Sequence, residues 1–119
     1  TLDIAGELEK EDPRPVLVDC LTLWLTGVMD RHHVWETFVG SDERQRALAA
    51  IDDDISRLIE AMQSANCPTI LVTNEVGNGI VPEHESARLF RDILGRLNTT
   101  VAASCDRVDL VVAGRVITL

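Results

Sequence analysis

The run from Thr73 to Asn98, with the apolar stretch that leads into it, constrains the fold of this chain more than any other part. Thr69-Ile70-Leu71-Val72 is apolar, β-branched and short, the pattern of a buried strand. Gly77, Gly79 and Pro82 then punctuate the chain. From Glu83 an amphipathic pattern places Ala87, Phe90, Ile93, Leu94, Leu97 and Val101 on one side of a helix reaching about Ser104. Strand, glycine loop and helix in succession set functional groups at the carboxyl edge of a sheet in α/β proteins. Asn74 and Glu75 fall where that strand should end.

The same grammar occurs upstream. Pro15 leads into Val16-Leu17-Val18-Asp19, which reads as a strand buried on both faces, as in parallel sheets. Leu21, Trp24, Leu25 and Val28 follow at i, i+3, i+4 and i+7, so a helix starts almost at once. Asp30 to Gly40 has no clear period and reads as a loop or a frayed helix end. Ser41 suits an N-cap, with Asp42 and Glu43 well placed near the helix dipole. Leu48, Ile51, Ile55, Leu58, Ile59 and Met62 mark one face of the helix that follows, to about Ala65. Leu2 to Glu11 reads as a short surface helix stopped by Asp12-Pro13. Val108 to Ala113 is a third apolar run, and Gly114-Arg115 suits a tight turn into an antiparallel edge strand, Val116 to Thr118. The expectation is one α/β domain over residues 1–119, a mainly parallel sheet with helices on both faces.

Composition narrows the function classes. Twenty acidic against eleven basic residues give a net charge of -9, the wrong sign for a nucleic-acid binder. No apolar run reaches bilayer-spanning length. Cys20, Cys67 and Cys105 lack metal-ligand spacing and suit reduced thiols in a cytoplasmic protein. The chain opens on Thr1, within a helical pattern, which reads as a piece of a longer protein.

Two places fall at strand ends, where such sheets bind ligands. Asp19 closes the first strand, and an acidic residue there, followed by Thr22, is similar to the second acidic motif of P-loop NTPases, whose carboxylate helps hold Mg²⁺. An Asp in that position also serves as a helix cap or turn former, and Thr22 as a helix-start packing residue. Asn74 and Glu75 could orient substrate or metal-bound water, or simply build the loop. The glycines of Val76-Gly77-Asn78-Gly79 permit positive φ and close backbone approach, as do those of many plain turns. Arg88, Arg91 and Arg96 suit phosphates, a neighbouring subunit or surface ion pairs. The consecutive Asp52, Asp53 and Asp54 fan around a helix and read as a solvated face. His32 and His33 read as exposed loop residues and His84 as a helix-start residue. Trp24 and Phe90 read as core. No G-x-x-x-x-G-K-[ST] phosphate loop occurs in the sequence.

Val-Leu-Val-Asp-Cys-Leu-Thr-Leu-Trp-Leu-Thr at 16–26 resembles the acidic-strand motif of the adenosylcobinamide kinase / adenosylcobinamide-phosphate guanylyltransferase family of cobalamin biosynthesis. Val72-Thr73-Asn74-Glu75-Val76-Gly77, then Gly79-Ile80-Val81-Pro82-Glu83, resembles that family's most distinctive motif, and Ala87-Arg88, Phe90-Arg91-Asp92 and Gly95-Arg96-Leu97-Asn98 continue it. Asp109 to Gly114 is similar to its last core strand. Gly27 and Asn78 depart from residues common in the family. The resemblance implies a RecA-like P-loop fold and a homotrimer. It implies phosphoryl transfer from ATP or GTP to adenosylcobinamide, then transfer of GMP from GTP through a GMP-histidine intermediate. It assigns Asp19 to Mg²⁺ and the nucleotide, Thr22 to the same site, and Asn74 and Glu75 to catalysis. The family's phosphate loop and nucleophilic histidine belong to an N-terminal segment that this sequence does not match, and His32, His33 and His84 do not take the nucleophile's place. The 119-residue chain alone is therefore expected to be inactive, either as the larger part of a complete enzyme or as a non-catalytic relative acting as an assembly module.

Overall fold

A computed structural model describes residues 2–119. Its elements run α1 (Ile4–Glu9), β1 (Val16–Asp19), α2 (Leu21–Arg31), a 3-10 turn (Val34–Glu36), α3 (Asp42–Ser64), β2 (Thr69–Val72), α4 (Glu85–Ala103), β3 (Asp109–Val112) and β4 (Arg115–Thr118). β1 and β2 pair in parallel, with Val16 opposite Thr69 and Asp19 opposite Val72. Helices α2 and α3 form the crossover that a parallel pair requires. β3 and β4 make a separate antiparallel hairpin.

Local chemistry sets the helix starts. Asp3 Oδ1 accepts a hydrogen bond from Gly6 N at 3.0 Å at the start of α1. Ser41 Oγ accepts one from Arg44 N at 3.1 Å and caps α3, ahead of Asp42 and Glu43 in the first turn. The amphipathic faces read from the sequence meet in one core. Leu21, Leu25, Val28 and Met29 of α2 are fully buried, as are Leu58 of α3 and Leu94 and Leu97 of α4. Each such Leu contributes about 1.5–3 kcal/mol over leaving it in water. Ala87, at the start of the expected α4 face, is exposed because the first turn of α4 runs past the core.

The sheet departs from expectation on one side. Val16, Val18 and Leu71 face the helices, whereas Leu17 is 66% exposed and Ile70 62%. Strand side chains alternate between faces, and the four helices pack together against only one of them. Burial on both faces and helices on both sides are thus met on one side among the described residues. The C-terminal turn also shifts. Ala113 (φ 50°) and Gly114 (φ 72°) form the two-residue loop, and Arg115 already pairs with Val112. Two consecutive positive φ angles match the twist of a hairpin, which a turn at Gly114-Arg115 would not supply.

Two polar clusters lock the helices. Arg44 is buried, and its Nε donates to Thr37 Oγ1 (2.6 Å), Nη2 to Thr37 O (2.9 Å) and Nη1 to Glu85 Oε1 (2.8 Å). It thereby ties the start of α3 to the start of α4. Asp54 takes Arg31 Nη2 at 2.7 Å and lies 2.6 Å from His32 Nε2. Burial works to raise the Asp54 pKa, but the bonds from His32 and Arg31 outweigh it and the net direction is down. His32 and Asp54 are both half-buried, so neither is the solvated surface group expected. His32 ends α2 where α3 crosses it, which brings the imidazole against a carboxylate.

Candidate active site

The carboxyl ends of β1 and β2 bring the strand-end residues together. Asp19 is the last residue of β1, in register with Val72, and α2 begins two residues later. Its carboxylate is exposed and has no ion-pair partner among the described residues. Thr22, in the first turn of α2, donates through Oγ1 to Asn74 Oδ1 at 2.7 Å. That bond spans from one strand end to the other. It leaves the lone pairs of Thr22 Oγ1 and both N–H groups of the Asn74 amide for other partners.

Two residues that sequence reasoning gave no role complete the arrangement. Asn98, in the C-terminal half of α4, donates through Nδ2 to the Asn74 carbonyl at 2.9 Å. Its Oδ1 accepts from Thr73 Oγ1 at 2.7 Å. A backbone carbonyl can only accept, so the first bond fixes the orientation of the Asn98 amide and the second follows from it. The available signal was an amide placed next to Leu97 in an otherwise apolar stripe.

Glu75 is turned to its own loop, where Oε1 accepts from Gly77 N at 2.6 Å. Neither Gly77 nor Gly79 takes a positive φ. A Cβ on Gly77 would sit 2.8 Å from Glu75 Oε1, the far end of a flexible side chain that would have to swing aside and give up its bond to Gly77 N. Arg91 Nη2 donates to the carbonyls of Gly77 (2.8 Å) and Gly79 (3.2 Å). Arg88 Nη1 donates to those of Pro82 (3.0 Å) and Glu83 (2.6 Å). Both arginines bind neutral oxygens of the loop, and neither has a carboxylate partner among the described residues.

The donor set at the strand ends is hard oxygen: one carboxylate and one hydroxyl. That suits Mg²⁺, which is held by one or two protein groups and completes its shell with water and phosphate oxygens. No cluster of three His, Cys, Asp or Glu occurs among the described residues. Clefts of about 220 Å³ beside Trp24, Arg31, Asp54 and Arg57, and about 230 Å³ beside Ile55, Arg96 and Thr100, lie away from the strand ends.

Parallel strands joined through a helical crossover, with polar groups at their carboxyl ends, define the class: an α/β domain of the kind that binds ligands at the sheet edge. Comparison with known proteins narrows this class. The family model described as cobinamide kinase / cobinamide phosphate guanyltransferase matches residues 1–119, and the chain belongs to that family. The bifunctional adenosylcobalamin biosynthesis protein CobU of Salmonella typhimurium is 42% identical over 115 residues, covering 93% of this chain and 60% of that protein. CobU of Escherichia coli is 41% identical over 105 residues, with 83% and 54% covered. The bifunctional protein CobP of Pseudomonas aeruginosa is 38% identical over 106 residues, with 89% and 53% covered. The chain thus spans 53–60% of the length of these curated relatives.

Proposed function

We propose that the protein containing this chain phosphorylates adenosylcobinamide with ATP or GTP and then transfers GMP from GTP to the phosphate, releasing pyrophosphate and giving adenosylcobinamide-GDP. Family membership supports the reaction class, and the Thr22–Asn74 bond joining the carboxyl ends of β1 and β2, where Asp19 closes β1, is the observation that carries the site. Asp19 and Thr22 Oγ1 are the groups that would hold Mg²⁺, directly or through its water. Bound there, the ion would neutralise charge on phosphate oxygens. The Asn74 amide beside them orients substrate or metal-bound water through its N–H groups. Glu75 keeps the loop in place through Gly77 and offers its second oxygen to orient water. Phosphoryl transfer forms a bond from the substrate hydroxyl oxygen to phosphorus and breaks the bond to the departing diphosphate, so positioning dominates catalysis.

The reading extends to a RecA-like P-loop fold for the complete protein, a homotrimer and a cytoplasmic location. No described helix is long and apolar enough to cross a membrane. The test is incubation of the complete protein with adenosylcobinamide, Mg²⁺ and GTP, with products resolved by mass spectrometry. Adenosylcobinamide phosphate followed by the GDP derivative is expected, and the 119-residue chain alone is expected to give neither. Absence of both products from the complete, folded protein refutes the enzyme reading and leaves the assembly-module alternative.

A further inference from the structure

We propose that Asn98 is a positioning residue, acting through Asn74 to aim the strand-end loop at Thr22 and Asp19; this rests on the strand-end reading given above. The geometry is continuous. Asn98 Nδ2 holds the Asn74 carbonyl at 2.9 Å, and Asn98 Oδ1 holds the Thr73 hydroxyl at 2.7 Å. One side chain therefore grips two successive residues immediately after β2 ends at Val72. Asn74 then reaches Thr22 at 2.7 Å with its own side chain. Asn98 contributes no atom to the ligand side of this chain of bonds. What it supplies is the direction in which the Asn74 amide points.

Its own position is well determined. Leu94 and Leu97, one turn and one residue before it, are fully buried, and Val101 follows three residues later. Those contacts fix the rotation of α4, and Asn98 falls at the edge of the buried stripe, half-exposed, facing the strand ends. Asn74 itself is exposed, and the loop's contact with the core comes two residues later, at the half-buried Val76. An exposed loop residue held by one side-chain bond samples other directions readily; gripped also at its carbonyl and through the preceding hydroxyl, it does not.

The test uses the complete protein carrying Asn98→Leu and Asn98→Asp. The Leu variant removes both bonds at nearly the same size. The Asp variant keeps the acceptor for Thr73 and loses the donor to Asn74, and serves if the Leu variant folds poorly. Displacing a positioned group should lower kcat by about 10²-fold, with KM for nucleotide within about twofold if Asn98 acts only on aim. Asn98→Leu added to Asn74→Ala should cause no further loss, because both act along one line. Independently of turnover, the side-chain amide resonances of Asn74 in ¹⁵N-labelled protein should move in both Asn98 variants, while backbone resonances of Ile4 to Leu8 in α1, remote from the substitution, stay. Unmoved Asn74 amide resonances overturn the proposal whether or not the protein is active, as does an unchanged kcat where Asn74→Ala lowers it. Absent turnover in the wild type with shifted Asn74 resonances sinks the kinase reading alone and leaves the positioning role standing.

Discussion

Replacing Arg44 with Met tests how the helices are locked. The guanidinium makes three strong bonds, to Thr37 Oγ1, Thr37 O and Glu85, from a side chain only 8% exposed. Removing one partner of a fully buried ion pair costs about 3–5 kcal/mol, because a charge is left stranded. Here the group left behind is Glu85, whose side chain is 44% exposed and regains water. The cost is therefore smaller and comes mainly from the two Thr37 oxygens, which lose charge-assisted bonds while Met fills most of the stem's volume. That gives about 2 kcal/mol, using about 1.5–3 kcal/mol for a bond to a charged group and partial replacement by water. Glu85→Gln keeps both Thr37 bonds but leaves the buried guanidinium facing a neutral amide oxygen in place of its counter-charge, so about 1–1.5 kcal/mol is expected. Urea unfolding followed by circular dichroism measures both. A loss below about 0.5 kcal/mol for Arg44→Met, the ordinary range for a surface change, would refute the lock. Equal losses for the two variants would show that the ion pair, not Thr37, carries the energy.

The pH dependence of that lock has a definite sign. The hydrogen bond from Arg44 holds the Glu85 carboxyl below its ordinary value of 4.5. The unfolded chain then takes up the proton first as pH falls, so Glu85 stabilises the fold fully above that value. The contribution disappears as pH drops through the depressed folded value. The gap in stability between wild type and Arg44→Met should accordingly narrow below pH 4.5 and stay constant above pH 6.

Asp19→Asn in the complete protein should lower turnover by about 10²–10³-fold, the usual scale for losing a preorganised electrostatic group, with Tm unchanged; full activity with a normal Mg²⁺ requirement would remove Asp19 from the site. Leu58→Ala should cost about 2–5 kcal/mol through the cavity it leaves, because Leu58 is fully buried, and a urea midpoint close to wild type would show that α3 collapses onto the gap. Ala113→Gly should stabilise by up to about 1 kcal/mol, since Ala113 occupies a left-handed backbone position at φ 50°; a lower Tm would mean that the hairpin turn differs from the one described.

The elements were legible wherever composition breaks sharply. Asp19 ends β1 where a polar residue stands against an apolar run, and Ser41 caps α3 just ahead of Asp42 and Glu43; short-range rules resolve both boundaries. The one-sided sheet was not legible. Val16-Leu17-Val18 is apolar at every position, so the strand carries no alternation to say that Leu17 faces water. His32 with Asp54, and Asn98 with Asn74, are pairs 22 and 24 residues apart, and no local pattern links them. Arg44 did leave a trace. A cation in the first turn of a helix opposes the dipole, so a specific acceptor is the natural explanation for it. Thr22 and Asn74 were read separately as site residues, and the bond between them came only with the fold.

The strand-end loop is shaped from α4 more than from its own glycines. Asn98 grips its start, while Arg91 and Arg88 take four carbonyls between Gly77 and Glu83. The Arg91 bonds join positions 14 and 12 residues apart, so the loop curls back onto the helix it precedes. Each exposed bond is worth only about 0.5–1.5 kcal/mol, too little to drive folding. Together they are enough to choose among loop conformations of nearly equal energy. The direction of control then runs from core to site. Leu94, Leu97 and Val101 fix the rotation of α4, that rotation presents Asn98, Arg91 and Arg88 to the loop, and the loop presents Asn74 to Thr22. A core substitution that turned α4 would therefore disturb the candidate site before it unfolded the chain.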